Sequence, residues 1–465
     1  MSGGRPQSAM IGHSRDRTVA QLLPPEIIHL VVEGLGNHPQ ALTTASFIGR
    51  DWYAPTRDGL FHTITLGRPG LKLRNDPKTR CQELLSLLTT TPGLSACIRT
   101  LRIADTGRNL NRNGTPASRA NSLLATSSPL PATLDKLKHL VTLILDGTDA
   151  AEWSYVTPEA QKAIYSTFAI PSVRHISIVN FNGIPISPFF ENDFSHLISL
   201  SFTSFKPDPT EDEPRSSISK SGTSARSLQL KVLLLHHNYA DILLSFASRW
   251  VSTSGGQPPL TQELRINTMG IKRNFIHNSV HPVHAIWEKI PQAFFDSIRV
   301  YDVRNERSSV SRAFGTNDLF KICRFRNLVI LKVRLLMDDA VTWRVGTDEH
   351  IRHPFYELVA ELENGQLKHL EEFKLASNIP FKMLAKRGLV GAPWQKLDKA
   401  LVPRCPHLQS LHIYLTSDVN PLDGSALLYP NIGSAVSQLQ ISMPLAFEKG
   451  ILTVCVYTPA SFNGT

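Results

Sequence analysis

The chain has 465 residues, a length that at about 100–200 residues per domain points to several domains, or to one small domain plus an extended array. Hydrophobic residues make up 42% and, with the 27 glycines, bring the apolar share to about 48%, the ordinary value for globular protein, which excludes wholesale disorder. The excess of 49 Lys+Arg over 39 Asp+Glu gives a mildly basic +10 without any long run of like charge, so no nucleic-acid stripe or arm is indicated.

The cysteines, Cys81, Cys97, Cys323, Cys405 and Cys455, are odd in number, widely spread and never in a CxxC pair. That argues against a disulfide framework or zinc ribbon and fits a reducing compartment, hence cytoplasm or nucleus. Residues 1–18 read as a disordered tail, because Met1 to Arg17 lacks the apolar core of a secretory signal. The charge-free stretch between Asp423 and Glu448 is interrupted by Pro430, Asn431, Gly433, Gln438 and Gln440, which would be costly in hydrocarbon, so no membrane span is expected. Asn113-Gly114-Thr115 matches a glycosylation pattern but, without a signal peptide, has no route to modification.

The first patterned segment opens at Leu22-Leu23-Pro24-Pro25-Glu26, a helix-start signal. Leu23, Ile27, Leu30/Val31 and Leu35 then share one helical face, and Gly34 and Gly36 end the helix. A second periodic set follows in Leu42, Ala45, Ile48/Gly49 and Trp52, and a third, short one in Leu60, Phe61 and Ile64 after Pro55-Thr56. Residues 19–66 are thus expected to form a bundle of about three helices, marginal by size alone.

Leu23-Pro24-Pro25-Glu26-Ile27-Ile28, then Leu42 to Ile48, then Ile48-Gly49-Arg50-Asp51-Trp52 closely resemble the F-box motif, a Leu-Pro-x-Glu-hydrophobic element followed by a Val-x-Arg-x-Trp-like one. The continuation from Arg57 to Ile64 resembles the fungal branch of F-box-like proteins, with Gly49 standing where that branch often has cysteine or another small residue. The resemblance covers about a tenth of the chain. It implies a docking surface for the Skp-type adaptor of cullin-RING ubiquitin ligases, carried by Leu23, Pro24, Pro25, Ile27, Ile28, Val31, Ile48 and Trp52. The physical reading agrees, since so small a bundle has more apolar surface than it can bury, although Trp52 and Leu35 read equally well as packing groups.

From Leu84 onward a unit recurs with apolar residues at the first, fourth and sixth positions. It occurs at Ile98/Leu101/Ile103, Leu140/Leu143/Leu145, Val173/Ile176/Ile178, Leu197/Leu200/Phe202, Leu230/Leu233/Leu235 and Leu328/Leu331/Val333. Further copies are Phe295/Ile298/Val300, Leu370/Phe373/Leu375, Leu408/Leu411/Ile413 and, less cleanly, Leu264/Ile266 and Ile451/Val454/Val456, giving about eleven units. Helical patterns lie between them at Cys81–Leu88, Glu159–Phe168, Asp241–Trp250, His353–Glu363 and Trp394–Leu401. The fold class expected is therefore α/β: the small N-terminal helical module, then over 67–465 an irregular strand–helix solenoid that resembles the leucine-rich-repeat array of many F-box proteins. Residues 106–132, rich in Asn, Ser, Arg and Pro, and 206–226, with an acidic run and a serine cluster, read as mobile loops, and Ser216, Ser217 and Ser219 read first as part of a solvated linker and second as phosphorylation sites.

Residues flanking the third apolar position point away from the core of such an array, and in the leucine-rich family these are the usual partner-facing positions. They include Arg102, Asp146, Arg265, Arg299, Tyr301, Lys332, Arg334, Lys374, His412, Tyr414 and Tyr457, one acid among many bases and aromatics. A concave face binding an acidic or phosphorylated protein segment is the resulting expectation, centred on Arg299 to Lys374, with a merely solvated basic sheet face as the plainer alternative.

No GxSxG elbow, GxxxxGK[ST] loop, GxGxxG fingerprint or HExxH helix occurs. His277, His281 and His284 are interrupted by Pro282 and lack a nearby acid or cysteine, and His236-His237 reads as a strand end, so no metal, cofactor or catalytic group is expected. The function expected is that of a non-catalytic substrate receptor in an SCF-type ubiquitin ligase, with neither nucleic acid nor membrane as partner. The alternative is a repeat scaffold whose N-terminal module serves only as a cap.

Overall fold

The computed structural model describes residues 23–36, 38–67, 77–104, 123–124, 128–191, 194–203, 206–207, 230–236, 242–246, 261–267, 287–305, 321–335, 354–365, 367–377, 392–416 and 431–457. The N-terminal tail, most of the two expected loops, the serine cluster and the His277/His281/His284 group lie outside them.

Three helices come first: α1 (Pro25–Gly34), α2 (Pro39–Ser46) and α3 (Arg50–Phe61). Proline in the first turn of α1 and of α2 presets φ where its missing N–H costs nothing. Ile28, Val32, Leu42, Ala45 and Trp52 form the bundle's own core, flanked by Leu23, Leu35, Ile48 and Leu60. Two expectations are corrected here. Pro55 does not separate two helices but lies inside α3, buried beside Thr56, whose hydroxyl donates to the Trp52 carbonyl at 2.6 Å. Ile64 belongs not to a helix but to the first strand, β1 (Thr63–Leu66), which follows α3 after His62 alone.

Strands and helices then alternate. After β1 come α4 (Pro77–Thr90), α5 (Leu94–Cys97), β2 (Thr100–Ala104), α6 (Leu130–Lys136), β3 (Thr142–Glu152), α7 (Pro158–Phe168), β4 (His175–Ile184), α8 (Pro188–Glu191), β5 (Ser199–Thr203) and the two-residue β6 (Lys206–Pro207). The second half holds β7 (Val232–His236), β8 (Glu263–Asn267), α9 (Gln292–Ser297), β9 (Val300–Asn305), β10 (Ile330–Leu335), α10 (Pro354–Asn364), β11 (Glu372–Ser377), α11 (Ala392–Leu401), β12 (Ser410–Thr416), α12 (Asn431–Ser442), α13 (Pro444–Glu448) and β13 (Leu452–Tyr457). Together the strands make one 13-stranded parallel sheet in which chain order is spatial order, save that β6 pairs with β4 beside the main path. This is the architecture of a strand–helix repeat solenoid. No helix among the described residues is long and apolar enough to cross a membrane.

The apolar triples set the register. Leu101, Leu143, Ile176, Leu200, Leu233 and Leu264 lie side by side along the sheet, and two residues on Ile103, Leu145, Ile178, Phe202, Leu235 and Ile266 form a second buried row. Both rows share one continuous core with Leu84, Leu134, Ile164, Phe246, Phe295, Leu358 and Leu397 from the intervening segments. Helices therefore cover one face, and the residues between the rows point from the other. The core also takes in Leu123, Leu124 and Leu130, so the segment expected as a loop over 106–132 is anchored in its described part.

Just before most strands, one backbone carbonyl accepts N–H groups from the next unit. The Arg99 carbonyl takes those of Val141 and Thr142 at 2.7 and 2.9 Å, and the pattern repeats at Val141, Arg174, Gln262, Arg299, Val329 and Glu371. Gly67, which ends β1 with φ 77°, completes the packing of the first unit, because a Cβ there would run into the Ala104 carbonyl.

The last unit is tied by a buried carboxylate. Asp398 on α11 accepts the backbone N–H groups of Leu445 and Ala446, at 2.8 and 2.9 Å, at the start of α13. Among the described residues no strand pairs with the outer edge of β13.

Asp398→Ala should remove about 1–3 kcal/mol from the C-terminal units, seen as earlier loss of their amide-exchange protection. Burial raises the Asp398 pKa above its ordinary 3.8, so the native state holds this proton more tightly than the unfolded chain does. The proton-linked part of its contribution is full below 3.8 and is lost as pH rises through the raised value, while the two backbone hydrogen bonds persist, a slope that Asp398→Asn should flatten in thermal melts.

Candidate functional site

Two surfaces carry residues in excess of what the fold uses. The first is on the helical bundle. Helix α1 is apolar on two sides: Ile28 and Val32 fill the bundle core, whereas Ile27, Leu30 and Val31, at helical spacing on another stripe, are exposed. Leu30 is 63% exposed, Phe47 between α2 and α3 is 84% exposed, and Tyr53 on α3 also stands out in solvent. Pro24, Pro25, Ile27 and Val31 are thus accessible, Leu23 and Ile48 are half-buried, and Ile28 and Trp52 are core residues that cannot carry a contact directly. Leu30, Phe47 and Tyr53, by contrast, are exposed on the same bundle. Periodicity alone could not choose between the stripes, because spacings of three and four fit both.

The bundle is also joined to the array. The Cys97 thiol at the end of α5 donates to the Asp58 carboxylate on α3 at 2.9 Å, and Phe61 and Ile64 pack on the array's core. Burial, followed by the hydrogen bond to Asp58, raises the Cys97 pKa, keeping it a neutral donor.

The second surface is the helix-free face of the sheet. Its outward positions in the last five-strand stretch before β13 are Glu263, Arg265 and Asn267 on β8, Val300, Asp302 and Arg304 on β9, Ile330, Lys332 and Arg334 on β10, Glu372, Lys374 and Ala376 on β11, and Ser410, His412 and Tyr414 on β12. Arg265, Lys332, Arg334, Lys374, His412 and Tyr414 therefore come together on one face as anticipated. Two others do not.

Tyr301 is completely buried, stacked on Phe325 with ring centroids 4.6 Å apart, in register with Leu264 and Leu331. Arg299 lies one residue before β9, outside the ladder, and its guanidinium donates to the Asn327 carbonyl at 3.4 Å. The unit is Ile298/Tyr301/Val303, three residues beyond the expected Phe295/Ile298/Val300. At the C-terminal end the aligned residues are likewise Leu452 and Val454, not Val454 and Val456.

The shift changes the electrostatics. Asp302 and Arg304, missed at the sequence level, replace Arg299 and Tyr301, and the face is not almost purely basic. Arg265 pairs with Glu263 at 2.7 Å, Arg304 with Asp302 at 3.5 Å and Lys374 with Glu372 at 2.9 Å, with His412 at 3.7 Å from the same Glu372. The hydrogen bond to Glu263 raises the Arg265 pKa, and burial raises that of Tyr414, so both keep their protons. At the other end of the sheet, Arg102 pairs with the buried Asp146.

Among the described residues no three His, Cys, Asp or Glu side chains come together as metal ligands. No family model matches the sequence, and no curated protein matches it.

The register of β9 is directly testable. Tyr301→Ala should cost about 3–5 kcal/mol, as for a large core aromatic, whereas Lys332→Ala should stay within about 0.5 kcal/mol of wild type in denaturant unfolding.

Proposed function

We propose that the chain is a non-catalytic substrate receptor of a cullin-RING ubiquitin ligase. In this reading α1–α3 dock a Skp-type adaptor, the helix-free sheet face holds a protein substrate, and transfer is accelerated by proximity, since tethering raises the local concentration of substrate lysines near the conjugating enzyme. The observation that carries the reading is the two-sided α1. One apolar stripe suffices for the bundle, and a second, Ile27, Leu30 and Val31, stands exposed in the first helix of the segment that resembles an F-box. Exposed apolar stripes of this kind are costly in a monomer and are explained by a partner. The setting is intracellular, in cytoplasm or nucleus.

A second reading is favoured by the Asp58–Cys97 hydrogen bond and by Phe61 packing on the array: the bundle is an N-terminal cap of the solenoid, with no adaptor. The two readings separate in one pull-down of the purified chain with a Skp-type adaptor. The receptor reading expects capture by wild type and a loss of about tenfold or more for each carboxylate buried unpaired in an Ile27→Asp, Val31→Asp variant. Because both side chains are exposed in the free chain, that variant should keep its melting temperature. Absence of wild-type capture would establish the cap.

A further inference from the structure

The ladder places like charges directly against each other. Lys332 on β10 is in register with Lys374 on β11, and Arg334 on β10 with Arg304 on β9. Adjacent strands are about 4.8 Å apart, so each pair sets two cations side by side, an arrangement that destabilises a sheet. Two such pairs adjoin on three consecutive strands. The Arg304 and Lys374 members have carboxylates, Asp302 and Glu372, whereas Lys332 makes no ion pair and no hydrogen bond among the described residues. Asp302 is also in register with Lys332, so two carboxylates stand among four cations, and the remaining excess of positive charge is what an anion laid between them would neutralise.

The same face changes character toward the N-terminal strands. The outward positions of β4, β5 and β7 are His175, Ser177 and Val179, then Ser199, Ser201 and Thr203, then Val232, Leu234 and His236, all half-buried, with no carboxylate, lysine or arginine and three aliphatic side chains. The face therefore has a partly aliphatic zone and, beginning two strands further on at β9, a cationic one.

We infer that the helix-free face binds an extended segment of a protein partner that crosses the strands, with acidic side chains over Arg304, Lys332, Arg334 and Lys374 and aliphatic side chains over Val179 and Leu234. From β7 to β10 is three strand spacings and from β4 to β10 five, about 14 and 24 Å. An extended chain advances about 3.3 Å per residue, so the acidic and aliphatic groups are about four to seven residues apart. Acidic side chains at alternate positions face the sheet together. A peptide is favoured over a nucleic acid because Glu263, Asp302 and Glu372 share the face: they would repel a continuous phosphate backbone, but they pair with a donor where a peptide supplies one. The inference rests on the sheet-face half of the receptor reading and is independent of adaptor docking.

The test is selection of random peptides of about sixteen residues, displayed on phage, against the full chain, long enough to span both zones. A Lys332→Glu, Lys374→Glu variant provides counter-selection. Expected is enrichment of peptides with two acids at alternate positions and an aliphatic pair at the stated separation. Synthetic copies should lose at least about tenfold in affinity when the acids become Gln or when the variant replaces wild type. Leu234→Ser should cost a further few-fold, with both variants melting as wild type does. Failure to enrich peptides, enrichment without acids, or equal binding by the charge-reversed variant overturns the inference. So does tighter binding of a fluorescent single-stranded oligonucleotide than of any selected peptide. The Ile27→Asp, Val31→Asp chain should select the same peptides, and the charge-reversed chain should keep adaptor capture, so failure of one surface is distinguishable from failure of the other.

Discussion

The carbonyl that precedes most strands and accepts N–H groups from the next unit is the constraint on which the rest of the molecule depends. With both lone pairs used, as at Arg99 toward Val141 and Thr142 or at Val329 toward Glu371 and Glu372, the neighbouring unit can neither slide along the strand nor tilt away. The interaction is made entirely by main chain. Side chains then need only alternate, one inward and one outward, for the two buried rows to stack and for the remaining positions to gather on the opposite face. Both the core and the charged face follow from that single repeated junction.

Most of this was readable from the sequence because burial on one face leaves a strict signature. Leu140/Leu143/Leu145 and Leu328/Leu331/Val333 are seated as read, although the second overlaps another apolar triple, Phe325/Leu328/Ile330. The segment from Phe295 to Val303 offers two overlapping triples, Phe295/Ile298/Val300 and Ile298/Tyr301/Val303. An aromatic with a polar tip in the second made the first look better, whereas burial against Phe325 selects the second. The error mattered more for the surface than for the fold. A shift of three residues exchanges the two faces, hiding Asp302 and Arg304 and promoting Tyr301.

The bundle was legible in kind but not in orientation. Proline-led helix starts and spaced apolar residues identify α1 and α2, yet a helix with apolar residues on two stripes gives no internal sign of which one is buried. Strand β1 was concealed for a different reason. Thr63 to Leu66 is four residues long and follows α3 immediately, so its alternation is too short to separate from helical spacing. The salt links to Glu263 and Glu372 escaped because these residues lie at the first outward position, whereas attention to the residues flanking the third apolar position passes over them.

The join between α3 and β1 through His62 alone has a geometric consequence. With no linker to absorb motion, the bundle is held at one end of a scale graduated in strand spacings. The cationic quartet stands eight graduations from β1 along the sheet path, at β10. A cargo gripped one unit nearer or farther would be displaced by about 4.8 Å relative to whatever holds the bundle. In the proposed receptor reading the number of units between the two surfaces would act as a ruler, and changing that number would reposition a cargo in fixed steps without altering the chemistry that grips it.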